Sequence, residues 1–328
     1  MHLLTVLLLG SLLVFSPSPS HASDTGEPRQ LLARSVSSSA APILSPEDRR
    51  WLIDKQRLRL GTSAPDYPPF DINVSGNDYE GLTADFAGLI GELLGIPIEV
   101  RRFASRAQAI AALQAGQIDL LGSANGFEAE HPNLVLSRAY TDDQPVIVTA
   151  SGKPLAIDDP LKGQRLAMVN HYLPTHTVND LYPQARLQLY NSVQAGLSAV
   201  ALGQADAFIG DAASSDYLIT RNFLGSVQID HFIKNTRGGF AIAMSGDDAT
   251  LQRLVNLALG SISDSERLNI LRRWTSGNAR VLLDRSTLDL DAVERAWIEQ
   301  HPVVRVVFNK YFAPLSFYDD NQQFRGIT

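Results

Sequence analysis

Apolar positions along the chain follow two rhythms in turn, one of period two and one of helical period. Arg57 to Thr62 alternates like a strand and runs into the turn-rich Ala64-Pro65-Asp66-Tyr67-Pro68-Pro69-Phe70. Thr83 is placed to cap a helix whose Phe86, Leu89, Ile90, Leu93 and Leu94 fall at helical spacing, with Gly95 ending it. Ile96 to Phe103 reads as a strand, Ser105 and Gln108 as the capping box of a helix ending near Ala115, and Gly116 as the turn into strand Ile118 to Gly122. Strands separated by helices of this length imply right-handed crossovers and a sheet covered on both faces.

The same grammar then repeats. After an extended stretch, Pro145 to Ala150, the pattern predicts strands Arg165 to Val169 and Leu187 to Tyr190, a helix from Ser192 to Leu202, and a strand from Ala207 to Gly210. Gly116-Gln117-Ile118-Asp119-Leu120-Leu121 and Gly203-Gln204-Ala205-Asp206-Ala207-Phe208 each follow an amphipathic helix and open a buried strand. Two α/β lobes of similar topology follow from this. Because ligands of open α/β sheets sit beyond the carboxyl ends of the strands, facing lobes would enclose a cleft.

The chain's ends read differently. Leu3 to Phe15 is an apolar run broken by Ser16-Pro17-Ser18-Pro19 ahead of Ser20-His21-Ala22. It is too short to span ~30 Å of hydrocarbon but suits the core of a secretory signal, with cleavage expected after Ala22. No Lys or Arg precedes the run, so an uncleaved membrane anchor is the alternative. Residues 23–44, rich in Ser, Pro and Ala, are expected to be a flexible linker. Folded structure is expected from Ser45, where Ser45-Pro46-Glu47-Asp48 offers an N-cap, a proline at the first helical position and acids in the first turn. A longer repeat links Trp51, Leu58-Arg59-Leu60 and Tyr79-Glu80-Gly81-Leu82-Thr83 to Trp297, Val304-Arg305-Val306 and Phe324-Arg325-Gly326-Ile327-Thr328. Residues 279–328 therefore read as a linker and the incomplete start of a second module, or else as a C-terminal arm on the first.

Composition narrows the function. A formal net charge of −7 and a pI of about 5.5 argue against a nucleic-acid partner. The chain has no cysteine, which fits an oxidising compartment without disulfides as well as it fits the cytoplasm. His171 and His176, five apart with Pro174 between, share no helical face, so no metal site is expected and no cofactor is implied. Gly-x-Ser-x-Gly, phosphate-loop and zinc-protease motifs are all missing from the sequence.

Several stretches taken in order carry a resemblance: Tyr67-Pro68-Pro69-Phe70, Gly81-Leu82-Thr83-Ala84-Asp85-Phe86, the helix followed by Gly-Gln-Ile-Asp, Ser137-Arg138-Ala139-Tyr140, Gly203-Gln204-Ala205-Asp206-Ala207 with Asp211, and Gly238-Gly239-Phe240-Ala241-Ile242-Ala243. Together, over roughly Leu58 to Trp274, they resemble the family-3 extracellular solute-binding proteins. A signal peptide ahead of tandem modules is similar to the periplasmic part of BvgS/EvgS-type hybrid sensor histidine kinases. The resemblance implies an α/β, two-lobed, periplasmic-binding-protein-like (type II) clamshell over 45–278, followed by the truncated start of another. Lobe 1 would take about 57–145 and 239–278, and lobe 2 about 150–235. It implies a periplasmic sensing module, membrane-anchored in the full-length receptor, that signals by opening and closing and is not itself an enzyme. Its expected partners are a small-molecule ligand, a second clamshell, the inner-membrane kinase part and, in the full receptor, a second copy in a homodimer. A free solute-binding protein of an ABC importer is the alternative, and a periplasmic dehydratase-like enzyme using Glu130 and Asp211 a remote one.

The resemblance also places the site. Tyr67 and Phe70 would line the mouth, Ser123, Asn125 and Tyr140 would offer polar groups from lobe 1, and Asp211 matches the family's ammonium-binding Asp. Glu130 stands where amino-acid-binding members carry a carboxylate-gripping Arg, and His171 and Thr175 lie in the stretch that replaces their anion-binding turn. These departures suggest an amine-bearing or amino-acid-like cation held by Glu130 and Asp211 beneath Tyr67, with Arg102, Arg106 or Arg138 as other sources of positive charge. A clamshell that binds nothing and serves as a spacer is the competing expectation.

Overall fold

The computed structural model describes residues 26–37, 39–74, 76–155, 161–223, 225–233 and 238–275, with 297, 300–301, 311–312, 316–318 and 324–325 near the C-terminus. The expected signal peptide and cleavage site and most of 279–328 lie outside the described residues. The chain divides into two compact units, Met1–Leu282 and Leu283–Thr328.

In the first unit the chain forms β1 (Glu27–Leu31), α1 (Pro46–Lys55), β2 (Leu58–Ser63), the short strands β3 (Ile72–Asn73) and β4 (Asp78–Glu80), α2 (Leu82–Leu94), β5 (Ile98–Phe103), α3 (Arg106–Gln114), β6 (Leu120–Ala124), α4 (Gly126–Ala129), β7 (Leu134–Leu136) and β8 (Thr141–Asp143). It then crosses into β9 (Pro145–Ala150), β10 (Arg165–Val169), α5 (Thr175–Leu181), β11 (Arg186–Tyr190), α6 (Val193–Ala201), β12 (Ala207–Asp211), α7 (Ala212–Asn222) and β13 (Val227–Phe232). It returns as β14 (Gly238–Ser245), α8 (Ala249–Ser261) and α9 (Asp264–Trp274). Lobe 1 is a nine-stranded sheet ordered β3-β4-β1-β5-β2-β6-β14-β7, with β8 also on β14; lobe 2 is a five-stranded sheet ordered β11-β10-β12-β9-β13. The run β2-α2-β5-α3-β6 thus has its counterpart in β10-α5-β11-α6-β12, and within each the strands pair in parallel.

The Gly-Gln-x-Asp repeat has a physical role. Asp119 accepts the backbone N–H and Nε of Arg59, at 2.8 and 3.0 Å, while Arg59 Nη2 reaches the carbonyl of Gly116. Asp206 does the same for Arg165, at 2.8 and 3.0 Å, and Arg165 Nη2 reaches the carbonyl of Gly203. Each aspartate therefore ties the turn after a helix to the start of the neighbouring strand through a planar fork. In lobe 1, Lys55 from α1 brings a second cation to Asp119 at 2.6 Å.

Four expectations change. The segment read as a flexible linker supplies β1, which sits inside the lobe-1 sheet, parallel to β4 and antiparallel to β5. Backbone pairing holds it, so folded structure begins well before Ser45, although Ser45 does cap α1 in a capping box with Asp48. Helix α2 begins at Leu82 with Gly81 as its N-cap, and the Thr83 hydroxyl instead meets Tyr140 Oη at 3.0 Å. Ser105 caps α3 as expected, but the Gln108 side chain takes the N–H of Ala104, leaving the box half formed. Finally, β9 pairs with β12 and β13, so lobe 2 begins at Pro145 rather than 150.

In the second unit, β15 (Tyr311–Phe312), β16 (Ser316–Tyr318) and β17 (Phe324–Arg325) form an antiparallel sheet. Its pairings Phe312↔Ser316, Phe317↔Arg325 and Tyr318↔Phe324 fall 245 residues after Tyr67↔Asp71, Ile72↔Glu80 and Asn73↔Tyr79. The repeat seen around Gly81 and Gly326 is therefore a repeat of strand pairing.

Candidate functional site

Tyr67 is presented by a turn that closes on itself: its N–H and C=O bond the C=O and N–H of Asp71 at 3.0 and 2.9 Å. Gly81 lies against this turn with φ +127°, and a Cβ there would come within 2.2 Å of the Phe70 carbonyl oxygen. Only glycine allows α2 to start so close to the turn. From the opposite lobe, Asp211 ends β12 and caps α7, accepting the N–H of Ser214 at 2.7 Å with Oδ1.

The other carboxylate oxygen reaches across the cleft. Tyr67 Oη donates to Asp211 Oδ2 at 2.7 Å, with Tyr67 6% and Asp211 1% exposed. Around this bond the cleft is filled by protein. Phe240 lies 4.0 Å from Phe70 and 6.1 Å from Tyr67 between ring centroids, and the His171 ring approaches Tyr67 from lobe 2 at 5.6 Å. Beside them Tyr172 Oη donates to Asp143 Oδ1 at 2.8 Å, and Asp143 is the last residue before the chain crosses between lobes.

Burial sets the electrostatics. It raises the carboxyl of Asp211, and it pushes Asp143 up to about 8, with the neighbouring Asp211 charge adding to the effect. Burial also drives the Tyr67 and Tyr172 phenols well above their ordinary range, so both remain donors. His171 falls to about 3 through burial and the nearby Arg106 charge, and its ring is neutral. The cleft floor is thus two carboxyl groups, each bonded to a phenol.

The sequence-nominated residues divide into three groups. Tyr67, Phe70, His171 and Asp211 come together in the cleft. Ser123, Asn125 and Tyr140 are bonded within lobe 1. Ser123 Oγ donates to Asp71, Tyr140 Oη accepts the Ser123 N–H at 3.2 Å, and Asn125 caps α4. Glu130 and Thr175 are exposed, and Glu130 faces His176 across the lobes at 3.5 Å. Glu130 and Asp211 therefore do not form one acidic site, because Glu130 is half in solvent while Asp211 is held by Tyr67 in the interior. Two of the three arginines are engaged elsewhere, and the third packs beside α8. Arg106 is buried against Glu128 at 2.8 Å and the Gly122 carbonyl at 2.9 Å, and Arg102 bonds Asp66 at 3.0 Å. Arg138 lies against Gly260, where an added Cβ would come 2.5 Å from its guanidinium.

Asp143, Tyr172 and Phe240 were not nominated. Asp142-Asp143 directly before the apolar Pro145–Ala150 strand was the available signal for the first: an acid next to a buried strand. A cavity of about 340 Å³ flanks the closed cleft, lined by Pro65, Arg106, Phe127 and His131 from lobe 1 and by His171 and Asn191 from lobe 2. Among the described residues no group of three or more His, Cys, Asp or Glu could hold a metal ion, and no helix is long and apolar enough to cross a membrane.

Two facing α/β lobes joined by paired crossings and meeting at an Asp-capped helix define a solute-binding clamshell. Residues 58–277 match the bacterial extracellular solute-binding proteins, family 3, and the chain belongs to that family.

Within it, the chain is similar to the virulence sensor protein BvgS of Bordetella parapertussis, 38% identical over 98% of this chain and 25% of that protein. It is also similar to the sensor protein EvgS of Escherichia coli O157:H7, 25% identical over 87% of this chain and 24% of that protein. The chain thus spans about a quarter of the length of the sensors it matches. The crystal structure of the B. pertussis BvgS periplasmic domain superposes with a TM-score of 0.69 at 37% identity, covering 92% of this chain and 58% of that one. The second Venus flytrap domain of the same sensor gives 0.66 at 26% identity, covering 71% of this chain and 99% of that one.

Proposed function

We propose that this chain is the periplasmic sensing part of a membrane-bound sensor histidine kinase, and that its clamshell rests in a state closed by its own side chains. The observation carrying the second statement is the Tyr67–Asp211 bond between lobes, 2.7 Å long and buried. By resemblance, Asp211 is where amino-acid-binding members hold the ligand ammonium. Here a phenol from the facing lobe supplies that donor, and Phe70 and Phe240 occupy the space beside it. A donor built into the protein is always present, so closure needs no solute. A solute that acts on this module has to displace Tyr67, and an amine is the chemistry that Asp211 and Asp143 would accept in exchange.

The first statement is supported by the 38% identity to BvgS over nearly the whole chain and by the recurrence of lobe-1 strand pairing in the second unit. The partners are then a following clamshell, a membrane-embedded kinase part and a second receptor copy. The dehydratase-like alternative loses its acid–base pair, since Glu130 and Asp211 are not gathered. A carrier feeding an importer has to release its lobes in every cycle, which a permanent internal donor opposes.

Small-angle scattering on the full chain tests the closed resting state. The purified protein is expected to scatter as the closed form without any solute, and added L-arginine or putrescine should not compact it further. Tyr67→Ala is expected to enlarge the radius of gyration. A wild-type protein that is open alone and closes on adding either solute overturns the reading.

A further inference from the structure

Residues 32–37 and Ser39 lie ahead of the family match, which begins at residue 58, yet this stretch bonds to the last helix of the clamshell at both of its ends. After β1, the Leu32 N–H donates to the Tyr79 carbonyl at 2.9 Å, and Ala33 sits where a Cβ on Gly88 of α2 would come 2.4 Å from it. The next residues meet the C-terminal end of α9. The Arg34 N–H donates to Asp85 Oδ1 at 2.5 Å, and its guanidinium bonds Glu80 and lies 5.7 Å from the Trp274 ring centroid. Ser35 Oγ accepts Arg273 Nη1 at 2.8 Å. Further on, the Ser37 N–H donates to Glu92 at 3.0 Å, and the Ser39 hydroxyl bonds Glu266, the acid of the capping box that starts α9.

Asp85 is the centre of this arrangement. It is fully buried in the first turn of α2, and its Oδ2 accepts Arg273 Nη1 at 2.7 Å and Trp274 Nε1 at 2.9 Å, in addition to the Arg34 N–H on Oδ1. Three donors from segments 51, 188 and 189 residues away therefore converge on one carboxylate. Nothing in a solute cleft requires this, because all of it lies within lobe 1.

We infer that residues 32–37, with Ser39, form a strap, latched on Asp85, that fixes the end of α9 to lobe 1, making lobe 1 the anchored lobe and leaving lobe 2 to move when the cleft changes state. Asp85 is a positioning residue. It holds the helix from which the chain continues beyond Trp274, and it does so independently of whether Tyr67 closes the cleft.

Hydrogen exchange on the full chain, comparing wild type with Asp85→Asn, tests the latch. An amide is nearly the same size as a carboxylate, but its NH₂ must face one of three N–H donors. Losing a charge-assisted acceptor should speed exchange about tenfold or more in both 32–37 and 268–274. Amides of β10 and β12 in lobe 2 should keep their protection. Ser37→Ala/Ser39→Ala, which leaves Asp85 in place, should loosen the strap and the start of α9 in the same way, and it decides the matter should Asp85→Asn not fold. The inference is overturned if α9 keeps its protection while the strap loosens, or if lobe 2 loosens equally.

Discussion

Asp143 sits where burial and a neighbouring carboxylate both resist ionisation, and its carboxyl titrates near 8 in the folded chain against ~3.9 when exposed. Between those values the folded state holds a proton that the unfolded state has released. Stability therefore falls as pH rises from about 4 to about 8 and changes little from this source outside that window. Asp143→Asn keeps an acceptor for Tyr172 and removes the titration. Its melting temperature is expected to exceed that of wild type at pH 8 and to match it near pH 4; each ~1 kcal/mol gained corresponds to roughly 2–4 °C for a chain of this size. Tyr67→Phe acts in the opposite sense. It strips Asp211 Oδ2 of its donor in a dry site, at about 1–3 kcal/mol, seen as a lower denaturation midpoint.

The two Arg–Asp staples allow a comparison within one molecule. Asp119 is 6% exposed in its side chain and joined by both Arg59 and Lys55, whereas Asp206 is 36% exposed with Arg165 at 2.7 Å. Asp119→Ala is expected to destabilise by ~1 kcal/mol or more beyond Asp206→Ala in urea titrations, because Asp119 is the more buried acid and its loss unpairs two cations rather than one. The repeat behind these staples was legible, since both Gly-Gln-x-Asp stretches follow amphipathic helices and open apolar strands, but the Arg partners of the two aspartates, 60 and 41 residues away, were not. Also legible were β9 and β10, short apolar runs buried along nearly their whole length, and α2, whose large apolar residues fall at helical spacing. β1 was not. Glu27-Pro28-Arg29-Gln30-Leu31 is half exposed and held by backbone pairing to β4 and β5, which leaves no side-chain rhythm to read. The site was legible in part for a related reason. Tyr67 and Asp211 could each be nominated from a local stretch, but the bond between them joins positions 144 residues apart, and no periodicity reports that.

At the scale of the molecule, lobe 2 is one uninterrupted stretch from β9 to β13, while lobe 1 is assembled from segments on either side of it. Its sheet needs β14, which is inserted between β6 and β7 and also carries β8. A chain cut after Ile233 is expected to keep protected amides in β10 and β12 and to lose them in β2 and β6, as hydrogen exchange would report. On the periplasmic reading proposed above, the same layout imposes a schedule on a chain delivered through a membrane pore amino end first. The inserted lobe can complete itself while the surrounding one still waits for its final strand. Until residue 245 is delivered, the half-built sheet presents the unpaired flank of β6, and whatever shields that flank during export guards against its pairing with another emerging chain.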